Sequence, residues 1–318
     1  MFRTVTLNTG FDELFVVSSL QYGEVSSVVR HSTFASGKGI NAARIMHSLG
    51  ASVKAYAIIG LSEEQEFRRC LLKDGIDYFL IPIKAPTRRN LTLLNLDSSA
   101  PAAHSAGRGF VVRDVGLIFP LFEQLTHEVE EGDVVMLHGS IPEGLPASLW
   151  SEIALLASQK GASILVDTYG PPLLHILGSS NIEICKPNEA ESKIISGLRI
   201  GDSTQSVLTA LRYMVSQGVS LPIISRGADG LVFVAEGSIW EAVRPIPKPR
   251  LLVGAGDACM AGLAVAFGDG KLSVFEIVKW GVAVAAAHVQ GGVVENEKID
   301  YRAKELEPGV VFRRLGKL

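Results

Sequence analysis

Cysteine is scarce in this chain: three residues, Cys70, Cys185 and Cys259, among 318. Their odd number and wide spacing, with no Cys-x-x-Cys, exclude a disulfide framework and a cysteine zinc site and fit a reducing compartment. An excess of one charge is missing too. Thirty basic residues against 33 acidic ones give a formal net charge of −3, so no global field draws in nucleic acid or a membrane surface. An anionic ligand therefore needs a local basic pocket. Long apolar runs are absent: Val282 to Val289 falls far short of a membrane span, and Met1 to Leu7 reads as a strand, not as the apolar core of a signal peptide. A cytoplasmic protein is expected. The seven histidines show no HxxxH or HExxH spacing, and no GxSxG nucleophile elbow occurs. Internal repeats, low-complexity tracts and Pro-rich linkers are lacking as well.

What is present is an alternation of strand and helix signals. Thr4 to Asn8, Leu14 to Val17 and Val25 to Val29 read as strands. Ile40 to Leu49 reads as a helix closed by Gly50. Val53 to Ile59 reads as a buried strand, Glu63 to Asp74 as a helix, and Phe79 to Ile83 and Asn90 to Leu96 as strands. Strands at Asp133 to Leu137, Ser163 to Asp167, Ile182 to Cys185 and Pro222 to Ser225 then alternate with helices at Leu149 to Lys160, Glu189 to Ser196 and Gln205 to Gln217. A hairpin over Glu236-Gly237 follows, and two helices rich in small residues, Asp257 to Phe267 and Val274 to Gln290, close the pattern. Residues 302–318 give no clear signal. Such a rhythm predicts an α/β fold with a mostly parallel sheet and helices on both faces. The strands near 9–30 and 87–97 lie outside it and suit a small separate sheet that covers a site. In open α/β sheets, ligands bind beyond the carboxyl ends of the strands, and every motif below lies at such an end.

Gly254-Ala255-Gly256-Asp257 is the most informative motif. Glycines at the mouth of a helix let backbone N–H groups converge on an anion, and a carboxylate in the first turn sits where the helix dipole favours negative charge. That pairing suits phosphoryl transfer to a hydroxyl, with the amides on the phosphate and the carboxylate taking the proton. Ser36-Gly37-Lys38-Gly39-Ile40-Asn41 places a cation and an amide among exposed backbone N–H groups; with Gly39 after the lysine it is not a Walker A loop. Arg88 of Thr87-Arg88-Arg89-Asn90 offers a bidentate phosphate contact. Asp12, after the first strand, can accept from vicinal hydroxyls. Lys186-Pro187-Asn188-Glu189-Ala190-Glu191 opens a helix and carries oxygen ligands suited to Mg²⁺ through water. Ser225-Arg226-Gly227-Ala228-Asp229-Gly230 permits close approach of a nucleotide. Each motif alone is also what an ordinary turn or helix cap would show.

In this order, the segments resemble the PfkB (ribokinase-like) carbohydrate kinase family, over residues 4 to 292. The motif order is most similar to its 1-phosphofructokinase and tagatose-6-phosphate kinase branch: Gly37 to Asn41, Thr87 to Asn90, Gly139 to Gly144, Lys186 to Glu191 and Val253 to Gly262 each match. The resemblance implies a three-layer αβα domain spanning 1–318, with a β lid built from about 9–30 and 87–113 that often also makes a homodimer contact. It implies ATP and Mg²⁺ and a phosphorylated ketohexose, such as fructose 1-phosphate or tagatose 6-phosphate, converted to a bisphosphate. Asp257 would be the general base and Gly254, Ala255 and Gly256 the anion hole. Asp12, Gly37, Gly39 and Asn41 would hold the sugar, and Lys38, Arg88 and Asn90 its existing phosphate. Lys186 and Asn188 would serve the nucleotide, with Ser225, Gly227 and Gly230 lining its loop, and Glu191 would hold Mg²⁺ through water. Departures fall on the sugar-facing half: Thr9-Gly10-Phe11, Ser36, Leu61 and His138. Two alternatives stay open on the residues alone, a kinase of an unphosphorylated sugar or nucleoside and a regulatory binding protein on the same scaffold.

Overall fold

A computed structural model of the chain describes all residues except 21–22, 96–100, 180, 198–202, 248, 250–251 and 292–298. Its centre is a ten-stranded sheet. In sequence order the strands are β1 (Phe2–Thr6), β4 (Val53–Gly60), β5 (Asp77–Ile83), β8 (Val134–His138), β9 (Ser163–Asp167), β10 (Ile182–Cys185), β11 (Val219–Ser225), β12 (Leu231–Ala235), β13 (Ser238–Val243) and β14 (Val311–Lys317). They lie in the order β14-β13-β12-β11-β10-β9-β8-β1-β4-β5. From β11 to β5 all neighbours run parallel, and β12 to β14 continue as an antiparallel meander. A four-stranded sheet, β3-β2-β6-β7, stands apart; it comprises β2 (Gly10–Val17), β3 (Val28–Ser36), β6 (Arg88–Asn95) and β7 (Pro101–Ser105).

The parallel strands are apolar on both faces because both faces are covered. β4 alternates between two cores. Ala55, Ala57 and Ile59 pack with residues of α1 (Lys38–Ser48), α8 (Ala255–Gly268) and α9 (Val274–Gly291), while Tyr56 and Ile58 pack with α3 (Phe119–Glu128) and α4 (Leu149–Gln159). The expected three layers are thus present. Helices α8 and α9 lie against one another through small residues: a Cβ at Gly262 would come within 2.9 Å of Val284, and one at Gly281 within 2.6 Å of Leu263.

Several elements depart from the sequence reading. The expected strand at Val25 to Val29 starts only at Val28 and runs to Ser36, paired along the full length of β2. Helix α3 and the short α5 (Pro171–Ile176) were not foreseen, and neither was β7. Residues 302–318, which give no clear sequence signal, complete α10 (Ile299–Leu306) and supply the edge strand β14. The hairpin over Glu236-Gly237 is as expected, and both residues take positive φ, 51° and 65°, which matches the twist of the flanking strands.

The small sheet rests on the body of the molecule through α2 (Glu64–Lys73). Phe11 meets Phe67 edge to face at 5.5 Å between centroids. Arg89 lies 4.4 Å above the Phe11 ring and pairs with Glu13 of the same sheet and Glu66 of α2.

Candidate active site

Helix α8 begins at the site. Gly254 is its N-cap with φ 84°, a left-handed conformation that glycine adopts at little cost, and a Cβ there would sit 3.0 Å from His288 Nε2. Ala255 N donates to Leu252 O at 3.2 Å, and the next first-turn amides, of Gly256 and Asp257, have no helical acceptor before them. Lys186 Nζ lies 3.8 Å from where a Gly256 Cβ would be, so a cation faces the helix mouth. Asp257, in the first turn, is 7% exposed and accepts a hydrogen bond from Asn41 Nδ2 at 2.9 Å. Burial drives its carboxyl upward, Lys38 and the Asn41 contact pull it down, and Asp167 adds repulsion; the balance raises it to about 7.

Helix α1 supplies the facing wall. Gly37 and Gly39, expected to touch the sugar, also pack closely against β1 and β8. A Cβ at Gly37 would lie 2.7 Å from Thr6 Cγ2, and one at Gly39 would lie 2.3 Å from Thr6 Oγ1 and 3.2 Å from His138. The glycines let the first turn of α1 press onto β1 and β8, which is what carries Asn41 to Asp257. His138 is fully enclosed there, and burial lowers its imidazole to about 4, so it is neutral at physiological pH.

Lys38 lies apart from the partners of Arg88, with which the sequence grouped it. Its Nζ donates to Asp167 Oδ1 at 2.7 Å and to Glu191 Oε1 at 3.0 Å, and it stands 5.5 Å from the centre of the Tyr169 ring. Lys186 Nζ pairs with the other oxygen of Asp167 at 3.0 Å. Burial opposes ionisation of Asp167, yet Lys186 and Lys38 outweigh it and hold the carboxyl well below the usual range. In the same way, burial disfavours both ammonium groups, but the facing carboxylates hold them charged. Asp167 ends β9, and the sequence reading passed over it. The strand-end position was the available signal; its two lysine partners come from distant segments and left no local trace.

Asn188 and Glu191 form a reciprocal cap at the start of α6 (Glu189–Ser196). Asn188 Oδ1 accepts from Glu191 N, and Glu191 Oε2 accepts from Asn188 N, both at 2.8 Å. Capping is therefore one real function of these two residues. Ser225 lies beside them, its N–H donating to Pro187 O at 3.1 Å. Gly230 takes φ 79°, and a Cβ there would strike Ala242 O at 2.1 Å; Gly227 takes φ 58° with open space around it.

On the other side of Asp257, a cleft opens between the small sheet and helices α1 and α8, lined in part by Asp12, Leu14, Phe34, Asn41, Arg44 and Gly254. Asn90 Nδ2 donates to Asp12 Oδ1 at 2.7 Å, so β2 and β6 present one polar pair. Arg88 projects across Gly10, where a Cβ would meet it at 2.9 Å, and donates from Nη2 to Asn8 O at 3.0 Å; its Nε is buried without a hydrogen-bond partner. Asn8 Nδ2 in turn donates to Ser140 Oγ at 2.8 Å. Among the residues that depart from the family pattern, Thr9 donates its hydroxyl to Ile58 O, Ser36 is buried, and Leu61 is exposed.

Among the described residues no group of three or more His, Cys, Asp or Glu side chains could hold a metal ion. Beyond Asp257, the acidic oxygens of Asp167 and Glu191 share the Lys38 ammonium. This donor set fits a cation that arrives with phosphate ligands of its own, and does not form an all-protein cage. All three cysteines are free, and burial raises the thiols of Cys185 and Cys259, the latter to about 11. No helix among the described residues is long and apolar enough to cross a membrane.

Comparison with known proteins identifies the fold and the family. The chain is 30% identical over 299 residues to a 1-phosphofructokinase of Xanthomonas campestris pv. campestris, covering 91% of each chain. It is 28% identical to a 1-phosphofructokinase of Bacillus subtilis, over 99% of this chain and 100% of that one. Its fold superposes on phosphofructokinase-2 from Escherichia coli, solved in complex with substrates and products, with a TM-score of 0.82 at 23% identity over 96% of this chain and 98% of that one. A possible 1-phosphofructokinase from Thermotoga maritima gives 0.83 at 20% identity, over 99% of each. The family model described as pfkB family carbohydrate kinase matches residues 9–297, and the chain belongs to that family, whose members transfer a phosphoryl group to an alcohol acceptor.

Proposed function

We propose that this protein transfers the γ-phosphoryl group of ATP to a hydroxyl of a ketohexose phosphate, giving a bisphosphate, with fructose 1-phosphate as the preferred acceptor and tagatose 6-phosphate as the alternative. One observation carries the reading: a buried carboxyl, Asp257, held by Asn41 in the first turn of a glycine-capped helix whose mouth, at Gly256, faces a lysine. Relatives named 1-phosphofructokinase favour fructose 1-phosphate.

The sugar lies in the cleft under the small sheet, with hydroxyls on Asp12 and Asn41. Asp257 takes the proton as the hydroxyl oxygen attacks the γ-phosphorus, and the bond to the β-bridging oxygen breaks, so that ADP leaves with the electron pair. Charge on the transferring group is met by the amides of Gly256 and Asp257 at the mouth of α8 together with Lys186 and Lys38. Lys38 acts at the transferring phosphoryl group, not at the sugar's own phosphate, because its ammonium lies on Asp167 and Glu191. The sugar's phosphate falls to Arg88, with its unpartnered Nε, beside Asn90 and Ser140. Nucleotide binding falls to Lys186, Asn188 and the 225–230 loop. Mg²⁺, held by phosphate oxygens and by Glu191 through water, would neutralise phosphate charge. Closure of the small sheet excludes water and limits ATP hydrolysis; a homodimer contact through the same sheet is consistent with its exposed Val28 and Val29.

A general base contributes about 10²- to 10⁴-fold in rate. Asp257→Asn should lose at least about 10² in kcat while ATP binding, read by calorimetry, stays intact. Near-normal turnover in that variant would remove Asp257 from the role.

A further inference from the structure

Behind Asn41 runs a buried chain of polar contacts that the reaction as described does not use. Arg44, one helical turn after Asn41 on α1, donates from Nη1 to Asn41 Oδ1 at 3.2 Å. It donates from Nε to Asp74 Oδ2 at 2.7 Å and from Nη2 to Ala35 O at 2.5 Å. Its guanidinium stands 5.9 Å from the centre of the Phe34 ring, and the whole residue is 9% exposed. Asp74 is the C-cap of α2, so the chain joins two helices to the mouth of a third.

The chemistry of these groups makes the chain directional. A guanidinium has only donors, and an ionised carboxylate has only acceptors. A carboxamide between the two has one favourable orientation: oxygen toward Arg44, NH₂ toward Asp257. Flipped, it would set N–H groups against the guanidinium and an oxygen against the carboxylate.

We propose that Arg44, anchored by Asp74, is a positioning residue for the reaction: it locks the Asn41 carboxamide so that an N–H donor always faces Asp257. The inference rests on the reading of Asp257 as the base. Without Arg44 the amide is free to turn, the carboxylate loses its donor, and the proton is held more tightly. The other charged groups acting on Asp257 are Lys38, Lys186 and Asp167, and none of them touches Arg44 in the described contacts. A change on removing Arg44 therefore reports on Asn41.

The test uses the full chain with Mg·ATP and fructose 1-phosphate, measuring kcat, both KM values and the pH midpoint of kcat for Arg44→Met, Arg44→Lys, Asp74→Ala and Asp257→Asn. Arg44→Met should lower kcat at neutral pH by about tenfold or more, with KM for ATP little changed and a smaller rise in sugar KM because Asn41 also meets the sugar. Its midpoint should move up by about one pH unit. Arg44→Lys, which keeps a donor, should restore most of the rate and the original midpoint. Asp74→Ala should move the midpoint in the same direction by less, and it carries the test if Arg44→Met does not fold. The double variant Arg44→Met/Asp257→Asn should be no slower than Asp257→Asn alone. A rise in sugar KM at constant kcat would make Arg44 a substrate ligand and overturn the proposal. A fall in kcat with an unmoved midpoint would reduce Arg44 to a structural part, and unchanged kinetics would dismiss it. An active Asp257→Asn would instead sink the assignment of the base, independently of what Arg44 does.

Discussion

Asp257 sits where two demands conflict. As the proposed base it must be ionised, and burial with Asp167 nearby resists ionisation; the result is a carboxyl raised to about 7, which suits that proposed role near neutral pH. Turnover should therefore climb with pH through about 7 and level off above it, as read from kcat at saturating substrates. The same shift has a consequence for stability. The folded state keeps the proton up to about 7, while an unfolded Asp releases it near 3.8. Between those values the native state binds more protons than the unfolded one, so this group's contribution to stability falls as pH rises. Asp257→Asn should accordingly be more stable than the parent at pH 8, by roughly 1–3 kcal/mol as read from unfolding, and the difference should vanish below about pH 4. Asp257 was legible in the sequence because its signal is local: two glycines and an acid at a helix mouth. Asp167 was not, because its meaning comes from Lys38, 129 positions away, and from Lys186. Lys38 and Arg88, grouped in the sequence as contacts for one phosphate, have different partners in the fold: Asp167 and Glu191 for Lys38, and Asn8 O for Arg88.

At the scale of elements, the first turn of α1 is the most constrained junction. It must lie flat on the end of β1, and the glycines at 37 and 39 permit it. Gly39→Ala would place a methyl 2.3 Å from Thr6 Oγ1 and lift the turn that carries Asn41. The expected loss is about 1–3 kcal/mol, measured by thermal unfolding, with a fall in kcat beyond what the stability loss explains. A variant as stable and active as the parent would contradict this packing role. The sequence showed the glycines and suggested sugar contact; that they serve close packing depends on Thr6 and His138, brought in by β1 and β8. Elements with strong periodicity or turn chemistry, such as β4, α8 and the Glu236-Gly237 hairpin, were readable in advance. Strand β14 was not: Val311 to Lys317 is mostly exposed and basic, as an edge strand can be, and lacks the alternation of a half-buried strand. The small sheet was foreseen as an exception to the βα rhythm, though the extent of β3 follows from its register with β2 and not from its own composition.

Across the whole molecule, the carboxyl ends of β1, β8, β9, β10 and β11 bring the motifs to one edge of the sheet, and the small sheet stands over the acceptor side. We propose that this edge works in two halves: one bearing Asp167, Lys186, Glu191 and Ser225 for the nucleotide, and one bearing Asp12, Arg88 and Asn90 for the sugar phosphate. Arg88→Ala should raise KM for a phosphorylated sugar by about tenfold or more, in line with loss of a charge-assisted contact, while KM for ATP stays unchanged. A rise confined to ATP would reverse the two halves. The most direct test of the central claim is ADP release from Mg·ATP against fructose 1-phosphate, fructose 6-phosphate, tagatose 6-phosphate, fructose, ribose and adenosine, run in parallel with Asp257→Asn. The account predicts turnover on a phosphorylated ketohexose, with fructose 1-phosphate preferred, and its near-abolition in the variant. Turnover on an unphosphorylated sugar or on adenosine alone, or silence across the panel by a protein that still binds ATP, would contradict it.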